Sequence, residues 1–265
     1  MSSSVAVEWG TLSTVDHNWS LVPLAKSYVD PIVVVKPASN VDSEPGALRV
    51  RNTDEDSFEV RFEEWSYLDG THMPERVFYI VAEAGQHDLG GLAVEAGKLD
   101  TDKVLGPTGW TPVGFATAFT NAPAVFASLQ TVNESDPAVT RVRGRSTAGF
   151  EVTMQEEEAS GDGHAMETVG WIAIDAGTAI VEGRDLEILV TGVDHQPGSF
   201  GFTKPLERRY PFLVTDVTTA DDEDTCSPRF ESVYRLGATV MLQEEQSVDA
   251  ETDHGTEDLS VFLSE

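Results

Sequence analysis

One unit is repeated three times along the chain, and this repetition constrains the fold more than any other feature. In each copy, a proline that opens an apolar run is followed eighteen residues later by an arginine. The pairs are Pro31 and Arg49, Pro123 and Arg141, and Pro211 and Arg229. Self-similarity at a fixed spacing is the sequence signature of repeated structural units. We therefore expect three related units.

Three further landmarks follow the arginine in the same order in each copy. They are a Phe/Ala-x-Val strand ending in Glu (58–64, 150–156 and 238–244), a His-x-x-Glu motif (72–75, 164–167 and 254–257), and a closing apolar strand (78–85, 170–177 and 259–263). Turn-forming residues at 90–91 and 182–185 separate the copies. The predicted units are therefore residues 1–91, 92–184 and 185–265, each within the usual size range of a domain.

The local pattern predicts an all-β fold. Phe58, Val60 and Phe62 alternate with charged residues, which is the period-2 pattern of a strand with one wet face. Short strands bounded by Asp, Gly, Asn, Ser and Pro are typical of a sandwich. The expected fold is a tandem array of antiparallel β-sandwiches with almost no helix.

The charge balance restricts the partners. With 46 acidic and 17 basic residues, the net charge is -29. This excess repels a phosphate backbone, so nucleic acid is excluded as a partner.

The 40% of hydrophobic residues is enough for a core and argues against disorder. Many carboxylates with only five lysines indicate a protein of a halophile or of a halophile's virus.

Cysteine content and terminal sequence give three further expectations. Cys226 is the single cysteine, so no intramolecular disulfide is expected. The first residues lack the basic and apolar regions of a secretion signal. No stretch approaches the ~20 apolar residues that span a bilayer, so no membrane partner is expected. Without a secretion signal, an extracellular protein would have to leave the cell by another route, such as release inside a virus particle.

The order of landmarks resembles the H-type lectin domain, a six-stranded antiparallel β-sandwich. The second copy carries Trp110, Pro123, Arg141, Gly-Phe-Glu-Val at 149–152 and Trp-Ile-Ala-Ile at 171–174, and the first carries Gly10, Trp19, Pro31, Phe-Glu-Val at 58–60 and Trp65. The resemblance covers most of the first two copies and the second half of the third. Such domains recur in tail fibres and other virion proteins of tailed viruses, including those of haloarchaea.

The resemblance implies shallow sugar sites near subunit contacts, commonly in trimers. A pyranose presents C–H groups to an aromatic face, while Arg, Asp and His bind its hydroxyls. Trp65 stands where the family has its tryptophan, whereas the other copies have Glu157 and Glu245, so the first copy is the predicted site. Its candidate residues are Trp65, Tyr67, Arg49, Arg51 and His72. The alternative is that the aromatic residues cap the core and the arginines pair with carboxylates.

The recurring His-x-x-Glu motif suggests a divalent cation site, for Ca²⁺ or another ion. Its candidate ligands are His72, Glu75, His164, Glu167, His254 and Glu257. The alternative is that each histidine hydrogen-bonds a glutamate and fixes the turn. The alternative is favoured because a zinc site needs three or four ligands, and only two recur.

The leading functional hypothesis is a virion structural protein, a tail-fibre or spike component of a halophilic tailed virus. It would bind a host cell-surface glycan or glycoprotein as a homotrimer, with other virion proteins as partners. No enzyme is expected, because nucleophile-elbow, phosphate-loop, dinucleotide and zinc-protease motifs are absent from the sequence. Two alternatives stay open: a purely architectural virion protein (capsid decoration, turret or baseplate connector) and a cellular halophilic carbohydrate-binding protein.

Overall fold

The fold is all-β, as the alternating pattern predicted. A computed structural model describes residues 6–106, 109–160, 163–206 and 211–265. These ranges contain twenty strands and no α-helix. Consequently, none of the described residues belongs to a helix with the length and apolar character needed to cross a bilayer.

The first unit consists of two three-stranded antiparallel sheets that face each other. Its strands are β1 (Val7–Val15), β2 (Ser20–Pro23), β3 (Pro31–Ser39), β4 (Gly46–Asp54), β5 (Ser57–Glu64) and β6 (Glu75–Glu83). One sheet has the order β1-β6-β3 and the other β2-β5-β4. In β5, Phe58, Val60 and Phe62 are buried while the residues between them are partly exposed. The period-2 pattern therefore fills the space between the sheets.

The other two units repeat this arrangement. The second has β7 (Gly85–Leu89), β8 (Leu92–Thr101), β9 (Thr111–Gly114), β10 (Ala124–Leu129), β11 (Val139–Arg143), β12 (Gly149–Gln155) and β13 (Glu167–Ile174). The third has β14 (Gly177–Val181), β15 (Arg184–Val193), β16 (Gly198–Gly201), β17 (Phe212–Val217), β18 (Cys226–Tyr234), β19 (Gly237–Glu244) and β20 (Glu257–Ser264). Their sheets are β7-β8-β13-β10 with β9-β12-β11, and β14-β15-β20-β17 with β16-β19-β18. The strands β18-β19-β16 continue the β1-β6-β3 sheet of the first unit, so these six strands form one sheet.

A hairpin lies at each junction between units. β7 pairs with β8, and β14 pairs with β15. The first turn is Gly90-Gly91, with φ of 66° and 96°, and the second is Glu182-Gly183, with φ of 52° and 79°. Two successive positive φ angles match the twist of a two-residue hairpin, and glycine adopts them without a steric penalty. β7 therefore belongs structurally to the second unit, although it lies within residues 1–91.

The three units close into a ring around an approximate threefold axis. Strands β3, β10 and β17, one from each unit, meet at its centre. The amide of Val33 donates to Gln130 at 3.0 Å, and the amide of Ala127 donates to Asp216 at 2.7 Å. β18 also pairs in parallel with β3, which joins the third unit to the first. Because β3 has neighbours on both faces, all nine of its residues are buried.

The centre of the ring breaks the threefold symmetry. The fifth residue after the repeated proline is Lys36 in the first unit, Ser128 in the second and Asp216 in the third. Lys36 Nζ lies 2.6 Å from Asp216 Oδ1 and donates to Thr140 Oγ1 at 2.9 Å. Both charged side chains are largely buried, at 11% and 1% exposed. Three identical lysines would repel one another here, whereas these three residues balance their charge.

This ion pair predicts an asymmetry between single and double substitutions. Lys36→Met leaves the buried carboxylate of Asp216 without its cation and should lower the free energy of unfolding by about 3–5 kcal/mol. Lys36→Met combined with Asp216→Asn removes both charges and should cost less. Urea denaturation in molar KCl measures both values. A double variant at least as unstable as the single one would contradict a stabilising role for the pair.

Candidate functional site

Each repeated arginine reaches across a unit interface to the glutamate of the His-x-x-Glu motif in the next unit. All six side chains are at most 1% exposed. The nitrogen-to-oxygen distances are 3.9 Å for Arg49 and Glu167, 2.8 Å for Arg141 and Glu257, and 2.8 Å for Arg229 and Glu75. The pairs run from unit one to two, two to three and three to one, so they connect the ring cyclically.

Each of these glutamates also binds its own loop. Glu75 accepts hydrogen bonds from the Ser39 hydroxyl and from the amides of Val41 and Asp42, the latter at 2.9 Å. Burial would raise the pKa of Glu75, but hydrogen bonds from His72, Ser39 and Asp42, with the charge of Arg229, hold it below its ordinary value. The glutamate is therefore a charged anchor for both the loop and the neighbouring unit.

Each motif histidine lies between two carboxylates of its own unit. His72 Nδ1 is 3.2 Å from Glu64 Oε1, and its Nε2 is 3.4 Å from Glu75 Oε1. The corresponding distances are 2.6 and 3.4 Å for His164 with Glu156 and Glu167, and 3.0 and 3.7 Å for His254 with Glu244 and Glu257. The histidine thus links the end of the fifth strand of each unit to the glutamate at the interface.

Protonation follows from these contacts. Burial opposes the charged imidazole, yet hydrogen bonds to Glu156 and Glu167 raise the pKa of His164 to about 9. Burial also opposes protonation of His254, but hydrogen bonds to Cys226, Glu257 and Glu244 raise its pKa to about 11. These two side chains are therefore imidazolium cations at neutral pH.

The acidic groups beside the histidines bear on the predicted cation site. Ligand atoms of Asp42, Glu64 and His72 lie within 4.8 Å of one another, and those of Glu134, Glu156 and His164 do the same at corresponding positions. The predicted ligands Glu75, Glu167 and Glu257 instead bind arginine and loop amides. A divalent cation remains a prediction, and its ligand set would centre on the strand-end glutamates.

The five predicted sugar-binding residues do not form one exposed surface. Trp65 and His72 are each 2% exposed and Arg49 is fully buried, with Arg49 donating to Glu63 and to the Asp136 carbonyl. Tyr67 is 40% exposed. Arg51 lies 4.0 Å from the Trp19 ring and is bound to Glu59.

The loops that follow β5, β12 and β19 meet at one end of the ring. The amide of Ser66 donates to Glu157, that of Glu158 to Glu245 at 2.9 Å, and that of Gln246 to the Tyr67 hydroxyl at 3.0 Å. Trp65 begins the first loop, and Glu157 and Glu245 occupy its register in the others. The two glutamates therefore tie neighbouring loops together.

Two corresponding grooves lie at unit interfaces beside these loops. The groove between units one and two has a volume of about 330 Å³, and its lining includes His17, Glu63, Glu64, Trp65, Ser66, Ser135 and Pro137. The groove between units three and one has about 250 Å³, and its lining includes His195, Gln243, Glu244, Gln246, Ser43 and Pro45. His17 and His195 each contact the carbonyl of the motif histidine in their unit, at 3.2 and 3.0 Å.

The interface between units two and three differs from the other two at a position next to the grooves. Thr225 stands where Pro45 and Pro137 stand in the other interfaces. Its hydroxyl donates to the Glu156 carbonyl at 2.6 Å, and its amide donates to Glu158 at 3.3 Å. Proline has no amide hydrogen and no hydroxyl, so the other two interfaces lack both hydrogen bonds at this position.

A third repeated carboxylate was not predicted from the sequence. Glu8, Glu95 and Glu187 are at most 8% exposed and lie opposite corresponding residues of β6, β13 and β20. Each accepts an amide of the loop before the third strand, for example Lys26 N to Glu8 at 2.9 Å. Their distances to the repeated proline are 23, 28 and 24 residues. Because these distances differ, a fixed spacing from the proline does not reveal the three glutamates. Aligning the three copies strand by strand would reveal them.

Fold and interfaces together define a single-chain protein of three β-sandwich units, joined in a ring by buried Arg, Glu and His side chains. Among known proteins, the chain is similar to Halomucin from Haloquadratum walsbyi (strain DSM 16790 / HBSQ001), with 32% identity over 251 residues. The matched region is 89% of this chain but 3% of Halomucin, so the chain spans a small part of that relative. No protein-family model and no solved structure matches the chain.

The raised histidine pKa values predict a loss of stability at high pH. An unfolded histidine releases its proton near pH 6.5, whereas His164 and His254 keep theirs to about 9 and about 11. Their contribution is therefore complete below pH 6.5 and is lost as the pH rises through the folded values. The free energy of unfolding, measured by urea at pH 6, 8 and 10, should fall steadily. His254→Gln should flatten this decline, and an unchanged slope would contradict the assignment.

The cyclic arginines predict a large difference between buried and exposed ion pairs. Arg229→Leu leaves Glu75 without its cation and should cost about 3–5 kcal/mol of unfolding free energy. The control is Arg143→Leu, because Arg143 pairs with Glu151 at an exposed site and should cost about 1 kcal/mol. Hydrogen exchange should also rise first in β3 and β18, which meet at the opened interface. Equal costs for the two variants would disprove the role of Arg229 in ring closure.

Proposed function

We propose that this protein is a carbohydrate-binding module of an extracellular assembly in concentrated salt, with units that adopt the H-type lectin arrangement. The observation that carries the proposal is the pair of corresponding grooves at two unit interfaces. The resemblance of the repeats to H-type lectins implies sugar sites near subunit contacts, and these grooves lie at contacts between units of one chain.

The chemistry of the grooves suits a polyol. The exposed hydroxyls of Ser66 and Ser135 both donate and accept hydrogen bonds, and the exposed Asp69 carboxylate accepts them from sugar hydroxyls. Leu68, which also lines the groove and is partly exposed, adds apolar surface. Binding sites of this type combine a few placed polar groups with apolar walls. The buried arginines hold the two walls in register and need not contact the sugar.

The surface charge and the relative support the proposed location. A net charge of -29 suits a surface that is hydrated in concentrated salt, and the similar protein is from a halophilic archaeon. Since the chain matches 3% of Halomucin, a region of this size also occurs inside a far longer chain. We place the module in a larger extracellular assembly, either a virion fibre or spike that adsorbs to a host glycan, or a cell-surface protein.

The homotrimer that the resemblance implies stays a prediction. Trimeric lectins bring three chains together, whereas this chain brings three units together through its own Arg–Glu contacts. Each chain therefore carries two grooves without further association. Assembly of several copies in a virion or on a cell surface would multiply weak contacts by raising the effective concentration of sites.

A purely architectural role is the second candidate, and the interface between units two and three favours it. Thr225 and Glu158 form a hydrogen bond across this interface, at the position where the other interfaces have grooves. The three loops at the end of the ring are also hydrogen-bonded to one another. A rigid, interlocked ring is suited to serve as a spacer in a particle. Glycan binding distinguishes the two roles.

The grooves provide a direct test of glycan binding. Ser43 and Ser135 are exposed residues at corresponding positions in the two grooves, and Glu223 is their counterpart at the third interface. Ser43→Trp with Ser135→Trp should fill both grooves and abolish binding on a glycan array in molar KCl. Glu223→Trp, the matched control, should bind as the natural protein does. Equal binding by all three proteins would remove the grooves as sites, and absence of binding by the natural protein would favour the architectural role.

A further inference from the structure

Most of the arginines are already neutralised by the abundant carboxylates. Of the ten described arginines, seven lie within 4.0 Å of a carboxylate: Arg49, Arg51, Arg61, Arg141, Arg143, Arg145 and Arg229. The ion pairs among the described residues do not include Arg76, Arg184 or Arg235. Arg76 and Arg235 line the same surface concavity, whose volume is about 550 Å³. Two unneutralised guanidiniums in one place stand out in a chain of net charge -29.

Arg76 is held in place by aromatic rings. Its guanidinium carbon lies 5.4 Å from the centroid of Phe78 and 4.8 Å from that of Phe230. The side chain is partly buried, and this burial lowers its pKa. Contact with ring faces positions the cation without using its N–H donors. Arg76 is therefore oriented before any anion arrives.

At another unit interface, the residue that corresponds to Arg76 belongs to an ion pair. The residue after the motif glutamate is Arg76, Thr168 or Asp258 in the three units. Between units two and three, Asp258 accepts a hydrogen bond from Arg145 at 3.0 Å. Between units three and one, Arg76 takes the place of the aspartate. One interface thus has a complete ion pair, and at the other Arg76 has no carboxylate within ion-pair distance among the described residues.

We propose that this concavity binds the single oxyanion of an acidic saccharide, a carboxylate or a sulfate ester, through Arg76 and Arg235. Two arginines and Glu231, which also lines the concavity, give a local charge of +1, which matches a singly charged group. Glu231 accepts hydrogen bonds from sugar hydroxyls. Tyr234 and Leu236, 41% and 59% exposed, form the apolar wall for the sugar ring. This inference rests on the proposed glycan-binding function but uses a site separate from the grooves.

Concentrated salt makes such binding compatible with a strongly acidic protein. At 1 M salt the Debye length is about 3 Å, so the repulsion between the protein's total charge and an anionic ligand is screened. A direct guanidinium–oxyanion contact lies within that distance and persists. Arginine also binds planar oxyanions in a bidentate manner, which chloride does not reproduce.

Calorimetric titration of the full chain in 1 M KCl tests the proposal. The probes are a glucuronate-terminated disaccharide, a sulfated disaccharide and the neutral disaccharide of the same sugars. Both acidic probes should bind the natural protein at least tenfold more tightly than the neutral one. Arg76→Met, which keeps the aliphatic packing, should weaken acidic binding at least tenfold. The matched control is Arg184→Met, because Arg184 also lies over an aromatic ring, 5.4 Å from Trp9, but outside the concavity.

The outcomes separate this site from the grooves. Acidic binding should survive in Ser43→Trp/Ser135→Trp, and neutral glycan binding should survive in Arg76→Met. If only one acidic probe binds, the proposal holds for that oxyanion alone. If Arg76→Met does not fold, Arg235→Gln at the exposed rim should still reduce acidic binding severalfold. Equal affinity for neutral and acidic probes, or unchanged affinity in folded Arg76→Met, would overturn the proposal.

Discussion

The buried arginine that each unit inserts into its neighbour is the interaction on which the rest of the structure depends. Its charge is balanced by a glutamate that also binds its own loop amides and a histidine. Removing any member leaves a buried charge without compensation, so the three networks are individually sensitive. Because the third pair returns to the first unit, the strands at the centre of the ring are enclosed by protein on every side.

Carrying three units in one chain allowed corresponding positions to diverge. A true homotrimer must place the same residue three times around its axis, whereas here Lys36, Ser128 and Asp216 share one position and bind their surroundings differently. The interfaces have diverged likewise. Two interfaces have grooves, and the third has hydrogen bonds of Thr225 instead. The interface between units three and one has Arg76 at the position where the interface between units two and three has Asp258. Chemical function can therefore differ among three copies of the same sandwich.

Most of the acidic side chains lie outside these networks. Carboxylates on the surface face solvent, whereas Glu8, Glu75 and their counterparts are buried and hydrogen-bonded. The same residue type thus occurs in two different environments. Charge counts alone do not separate them, since a buried glutamate contributes to the net charge as an exposed one does.

The sequence by itself determined the all-β class and the register of the repeated Arg and His-x-x-Glu residues, because strand alternation and spacing are local properties. Only the tertiary structure decided that Arg49, Arg141 and Arg229 cross interfaces, that Trp65 is buried, and that Arg76 contacts aromatic rings with no ion-pair carboxylate among the described residues. A strand pattern shows which residues point inward but not which unit receives them. The variable loop before the third strand also concealed Glu8, Glu95 and Glu187. These contacts depend on ring closure, which brings together residues up to 201 positions apart.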